Sequence, residues 1–190
     1  MLNDFINRLQ CYDFTAKEIE VLISKTKQTQ LASKQIITKQ DDMTDNLYFL
    51  IDGICHASYL TEHGKQFSKE FYWQGDWIIC FESLVNNQTS PYTLETITPV
   101  TLLSIPISFL KTWRAQSHPF YLQLLETQLM YKEKKERFML LYSPQEKYQI
   151  FCQTYPALIE KLTDYQIAAY LGITHISLSR IKGRIKNKLT

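Results

Sequence analysis

The stretch Asp164-Tyr165-Gln166-Ile167-Ala168-Ala169-Tyr170-Leu171-Gly172-Ile173-Thr174-His175-Ile176-Ser177-Leu178-Ser179-Arg180-Ile181-Lys182-Gly183 has the spacing of two short helices joined by a sharp turn. The first helix needs a small residue where the second crosses it, and Ala168 supplies one. Four residues later Gly172 can take the positive backbone angle that such a turn requires. Ile167, Leu171, Ile173, Leu178 and Ile181 fall where two crossing helices and the domain beneath share a core, and the pattern runs on to Ile185. Both helix starts are signalled: Thr163-Asp164-Tyr165-Gln166 has the Thr-x-x-Gln form of a capping box, and Thr174 can cap the second helix. These residues predict a helix-turn-helix, which points to recognition of double-stranded DNA. A helix-turn-helix scaffold used only for protein contact is the other reading.

Charge is distributed in the same sense. Residues 143–190 carry seven Lys or Arg against three Asp or Glu, whereas residues 1–142 carry fourteen against sixteen. Arg180, Lys182, Arg184, Lys186 and Lys188 lie in the last eleven residues with no acidic neighbour, as suits a helix end near phosphates. Helix C-termini favour cations through the macrodipole in any case, so the charge run decides nothing by itself.

The bulk figures set bounds. A chain of 190 residues, 45% hydrophobic and 21% charged, is long enough for one large core and a small second one. The net charge of +2 makes any nucleic-acid affinity local. No apolar run approaches the roughly 20 residues of a membrane span. The start, Met1-Leu2-Asn3-Asp4-Phe5, lacks a basic region followed by an apolar core, so a cytoplasmic location away from membranes is expected. Cys11, Cys55, Cys80 and Cys152 are far apart and form no C-x-x-C pair, which indicates neither a zinc knuckle nor a disulfide framework. His56, His63, His118 and His175 are equally scattered. Cys55 and His56 are adjacent, but consecutive side chains of a strand point to opposite faces and could not act as nucleophile and base.

Upstream, Thr15 to Ile23 reads as a helix with a capping Thr, early acids and helical apolar spacing. From about Gln28 the period changes. Gln35 to Thr38, Leu47 to Ile51, Ile54 to Leu60, Gln66 to Tyr72, Thr93 to Ile97 and Thr101 to Ile105 are short, rich in Ile, Thr, Tyr and Phe, and mostly separated by turn residues. Gly53, Gly64 and Gly75 recur every eleven residues, as expected where each corner of a rolled antiparallel sheet needs a permissive backbone. From His118-Pro119 to Leu141 runs a helical segment without Gly or internal Pro. Its stripe Leu122, Leu125 and Leu129 resumes at Met139 after the charged Lys132 to Arg137, and dimerisation through it is favoured over packing on the chain's own domain. Ser143-Pro144 then starts a further helix, which ends before Pro156.

A rolled sheet with these glycines, a long helix and a C-terminal helix-turn-helix together resemble the Crp/Fnr family of bacterial transcription regulators. The likeness is most specific at Gln166-Ile167-Ala168 and Leu178-Ser179-Arg180-Ile181, and moderate at Tyr48 to Gly53 and Gly75-Asp76-Trp77. The resemblance implies an α+β fold in three parts. Residues 1–116 would form N-terminal helices and a sensor domain, a double-stranded β-helix or β-roll like those that bind cyclic nucleotides. Residues 117–142 would form a dimerisation helix, and residues 143–190 the helix-turn-helix. It implies a non-enzymatic homodimer whose two recognition helices enter successive major grooves, with RNA polymerase as a further contact.

Members that bind cyclic AMP carry a Gly-Glu pair for the ribose and an Arg-Ser or Arg-Thr pair for the cyclic phosphate. Here those places read Gly75-Asp76 and Ser90-Pro91, with Trp77 and Tyr92 completing the candidate effector pocket. Asp76 is one methylene shorter, Ser90 brings no charge and Pro91 has no backbone N–H. A buried phosphate without a cation partner loses several kcal/mol, so cyclic AMP is not the expected effector. The N-terminal cysteine cluster of the family's iron–sulfur sensors is also missing, as is a haem ligand pair. No cofactor is predicted; a small-molecule effector of unknown identity is compatible with the fold.

On the second helix, a wheel that buries Leu178, Ile181 and Ile185 turns Ile176, Arg180 and Arg184 outward, with Ser177 and Ser179 on the flanks and His175 at the exposed start. Arg180 matches the family's base-reading arginine and can pair with guanine. Ile176 stands where many relatives have Glu and can make only apolar base contact. Arg180, His175, Ile176, Ser177 and Ser179 are therefore the base-facing candidates, and Lys182, Arg184, Lys186 and Thr174 the phosphate-facing ones. Two alternatives stand beside this reading: a ligand-sensing β-roll protein that acts through protein contacts without binding DNA, and a cupin-like metal barrel enzyme, against which the scattered histidines argue.

Overall fold

Helices α1 (Leu2–Gln10) and α2 (Ala16–Lys25) precede the sheets in the computed structural model of the protein, which describes residues 2–187. Lys188 lies outside the described residues. Thr15 caps α2 as expected: its hydroxyl accepts from Glu18 N–H, and the Glu18 carboxylate accepts from Thr15 N–H at 2.8 Å. The Thr15 hydroxyl, which donates to that carboxylate at 2.6 Å, and then the Thr15 N–H hold the Glu18 carboxyl below its usual range.

Eight strands follow, β1 (Lys27–Leu31), β2 (Ile36–Thr38), β3 (Asn46–Asp52), β4 (Cys55–Leu60), β5 (Gln66–Tyr72), β6 (Trp77–Ile78), β7 (Thr93–Thr96) and β8 (Val100–Pro106), with the short helix α3 (Phe81–Asn86) between β6 and β7. They form two four-stranded antiparallel sheets of order β1-β8-β3-β6 and β2-β7-β4-β5. Each sequence segment read as a strand overlaps one of them. Strands β1 and β6 and helix α3 were not anticipated, because β1 is largely polar and the other two are very short. Gly53 turns β3 into β4 at φ +91°, and a Cβ there would meet Pro99 O at 2.3 Å, so glycine is required twice over.

Leu50, Cys55, Ala57, Tyr72, Ile78, Cys80, Tyr92, Leu94, Val100 and Leu102 fill the space between the sheets. A larger core lies outside, where Phe5 and Leu9 of α1, Leu22 of α2 and Trp113 of α4 (Ile107–Ala115) pack with Phe49 and Leu103. Helix α5 (Pro119–Leu141) begins on the same core through Phe120, Tyr121 and Leu124. Its N-cap is His118, whose Nδ1 accepts from Phe120 N–H at 3.1 Å.

The C-terminal part comprises α6 (Pro144–Thr154), α7 (Pro156–Ile159), α8 (Asp164–Leu171) and α9 (His175–Lys186). Its core does not stand alone. Ile54 of the β3–β4 turn and Phe71 of β5 share one cluster with Phe151, Leu158, Leu162, Ile167, Ala168, Tyr170, Leu171 and Leu178. Phe71 stacks on His56 at 4.6 Å between ring centroids and reaches Tyr170 at 5.3 Å, so the outer face of β5 is the bed on which α8 lies.

Candidate nucleic-acid interface

The turn between α8 and α9 is built by its own sequence. Thr163 Oγ1 accepts from Gln166 N–H and the Gln166 side chain accepts from Thr163 N–H at 2.9 Å, closing the capping box. Gly172 ends α8 at φ +68°, and Thr174 Oγ1 accepts from Ser177 N–H at 3.1 Å to start α9. Ile167, Ala168, Leu171, Leu178 and Ile181 are buried, which fixes the face that α9 presents outward.

That face carries Thr174, His175, Ile176, Ser179, Arg180, Arg184 and Lys186, all exposed, with Ser177 half-buried at the flank. Ile176 is 53% exposed, an apolar side chain held out from a folded helix. Two features escape a helical wheel. Lys182 Nζ is paired with the Asp164 carboxylate at the start of α8 and lies 5.9 Å from the Tyr148 ring centre, so its charge is partly spent within the chain. Tyr165, 68% exposed, stacks on His175 at 4.5 Å and widens the surface at the N-terminal end of α9. The distance between these residues in sequence hid both contacts.

Inside the roll, Ser90 is fully buried and donates to Tyr92 O at 2.8 Å, while Tyr92 Oη donates to Ile79 O at 3.2 Å. The gap left beside Tyr48, Ile78, Cys80, Ser90 and Tyr92 is about 10 Å³, room for about one water molecule. Gly75, Asp76 and Trp77 are not part of it. They lie at the β5–β6 corner, where Arg8 donates to Gly75 O at 3.0 Å and Asp76 Oδ2 accepts from Trp73 N–H at 2.9 Å. The five candidate effector residues are thus divided between the packed interior and a corner facing α5. Burial, with the charge of Glu70, pushes the Asp76 carboxyl up to about 6, against the hydrogen bond from Trp73 and the charge of Arg8.

Three cavities open between the roll and α5, one of them, about 170 Å³, beside Gly75, Asp76 and Trp77. The first, about 330 Å³, is lined by Lys69, Glu70, Tyr72, Asp76, Trp77, Tyr131, Lys132 and Lys135 among others. The second, about 260 Å³, shares Tyr59, Lys69, Tyr72, Gln128 and Lys132 with it and extends to Tyr92, Leu125 and Leu129.

Residues 28–117 match the cyclic nucleotide-binding domain model. No curated protein matches the sequence. Among solved structures, FixK2 from Bradyrhizobium japonicum superposes at a TM-score of 0.72 with 15% identity, over 86% of this chain and 85% of that one. The c-di-GMP responsive global regulator CLP of Xanthomonas campestris gives 0.69 and 15% over 92% and 93%. A protein of Eubacterium rectale assigned to the Crp/Fnr family of transcriptional regulators gives 0.74 and 16% over 93% and 85%. Residues 28–117 thus have the pattern of a cyclic nucleotide-binding domain, and the chain has the fold of these Crp/Fnr structures.

In this Crp/Fnr-fold chain the stripe expected for dimerisation is open to solvent at Leu122 and Leu129, 50% and 58% exposed, while Leu125 leans on the core. Cys55 points into the roll and His56 out of it, as strand alternation requires. His56 is held by Glu95 at 3.2 Å and Ser68 at 2.9 Å. Among the described residues no three His, Cys, Asp or Glu side chains converge as a metal site, and no helix is long and apolar enough to cross a membrane.

Proposed function

We propose that the protein is a non-enzymatic transcription regulator that binds double-stranded DNA as a homodimer. In this reading the roll of residues 1–116 senses a signal, residues 117–142 join the protomers, and residues 143–190 read the operator. The observation that carries it is the outward face of α9: Arg180 and Ile176 project from a capped, well-packed recognition helix, with cations at Arg184 and Lys186 beyond them. The Crp/Fnr fold and the regulator descriptions attached to its structural relatives support the same reading.

Arg180 reads guanine, Ile176 meets a thymine methyl, and His175, Ser177 and Ser179 complete the base-facing set. Thr174, Arg184 and Lys186 meet phosphates; Lys182 does so less, since Asp164 already holds it. Tyr165, stacked on His175, is added as a contact. The exposed Leu122 and Leu129 with Leu125 form the dimer seam. Cyclic AMP is not the effector in this reading, because Ser90-Pro91 brings neither a cation nor a second backbone N–H to the cyclic phosphate.

Enrichment of bound duplexes from a random-sequence pool tests the reading. A two-fold related site with half-site centres about one helical turn, roughly 34 Å, apart is the expected product. A pool that yields no enriched sequence would favour a protein that acts through protein contacts alone.

A further inference from the structure

Helix α5 has two adjacent faces, and the chain itself uses one of them. Tyr121 and Leu124 are buried and Tyr131, Lys135 and Phe138 half-buried, all on the side turned to the roll and the C-terminal helices. The neighbouring side presents Leu122, Leu125, Leu129, Lys132 and Glu136, alternately three and four residues apart, the repeat that holds one face of a helix against a partner helix. Its three leucines are thus followed by one cation and one anion. One turn further on, Leu140 is 74% exposed and resumes the apolar character. Lys132 and Glu136 are both exposed, yet their side chains pair neither with each other nor with any other side chain among the described residues. Lys132 lies close enough to Lys69 and Lys135 to repel both ammonium groups. A cation pressed by two others gains from an anion on its free side.

A second copy of the same helix supplies that anion. In a parallel two-fold pair each seam residue meets its own copy, so Leu122, Leu125 and Leu129 pack layer on layer, while Lys132 and Glu136 taken straight across would each meet a like charge. One helical turn separates these two layers, within the reach of a lysine side chain. Crossing between them turns two repulsions into two attractions. An antiparallel pair that matched Lys132 with Glu136 would set Leu122 and Leu125 opposite residues beyond Leu141, where α5 has ended. A parallel pair shifted by one heptad would set Lys132 against Leu125 and leave its charge unmatched in the seam. We propose that Lys132 of each protomer pairs with Glu136 of the other, so that the charged middle of the helix fixes the parallel, in-register alignment of the dimer. A polar layer of this kind selects alignment and partner at some expense in stability, and the leucines supply the strength. The proposal rests on the reading that α5 joins the protomers.

Sedimentation equilibrium of the full-length protein without DNA compares the parent, Lys132→Glu, Glu136→Lys and an equimolar mixture of the two variants. Each variant alone sets like charges across the seam and should raise the dimer dissociation constant at least tenfold while its thermal transition stays cooperative. In the mixture one chain brings two acids and the other two lysines, so both cross pairs return, and the mixed dimer should form within threefold of the parent constant. Mixing cannot restore an ion pair made within one helix. A dimeric parent whose constant neither variant changes, or a mixture no tighter than the separate variants, overturns the proposal and leaves the leucine seam in place. A parent that stays monomeric overturns the seam and the proposal together. Should either variant fail to fold, raising the salt from about 0.05 to about 0.5 M must weaken the parent dimer at least threefold, and an unchanged or tighter dimer there overturns the proposal.

Discussion

Lys135 Nζ on α5 lies 3.2 Å from Glu70 Oε2 on β5, and this pair ties the long helix to the sheet on which the helix-turn-helix rests. The Glu70 side chain is 9% exposed and that of Lys135 23%, so water screens the pair only in part. Glu70→Gln and Lys135→Met should each lower stability by about 1–3 kcal/mol, and the double variant by less than the two together. Urea unfolding of the four proteins checks this, and strict additivity would show that the pair contributes nothing.

Asp76 provides a pH-dependent test. Its carboxyl is raised to about 6 in the folded chain, above its ordinary value, so between roughly pH 4 and 6 the folded state holds a proton that the unfolded state has lost. Stability from this group therefore falls as pH rises through that window. Asp76→Asn keeps an acceptor for Trp73 N–H and should gain about 1–3 kcal/mol at pH 7 with a flatter profile from pH 4 to 6. Thermal unfolding across that range would show it; a variant less stable than the parent at pH 7 would contradict the burial argument.

How far the sequence could be read divides along range. The helix-turn-helix was legible because its signals are local: a capping box at Thr163, a left-handed Gly172, a second cap at Thr174. The roll was legible through its glycine corners and the alternation of its longer strands. Strand β1 was not, because Lys27-Gln28-Thr29-Gln30 is polar and gains its place by pairing with β8. The seating of α8 on Phe71 and the Asp164–Lys182 pair join residues far apart in the chain. No spacing rule could have found them. Asp76 and Ser90 looked like two sides of one pocket in sequence, yet the β5–β6 corner turns one away from the interior that buries the other.

Leu125 stands between the exposed Leu122 and Leu129 and touches the helical core from the seam side. Leu125→Glu places a charge there and should raise the dimer dissociation constant at least tenfold, with DNA affinity falling in parallel. Sedimentation equilibrium reads the first and anisotropy the second. An unchanged dimer would move the interface to another surface.

Cyclic nucleotides provide a complementary measurement. With Tyr92 and Ser90 hydrogen-bonded inside the roll, about 10 Å³ open beside them and no cation at Ser90-Pro91 to meet a cyclic phosphate, cyclic AMP and cyclic GMP should show no micromolar binding in calorimetry. Ser90→Arg with Pro91→Ser should not create it, since the new side chain would have no room. Micromolar affinity in the parent protein would mean that the interior opens.

The most direct measurement compares the parent protein with Arg180→Ala on the enriched duplex and on a scrambled duplex of equal composition, by anisotropy at one salt concentration. Arg180 should contribute about 1–3 kcal/mol at the enriched site and almost nothing on the scrambled one. An equal loss on both duplexes, or no preference for the enriched duplex by the parent protein, would contradict sequence-specific recognition through α9.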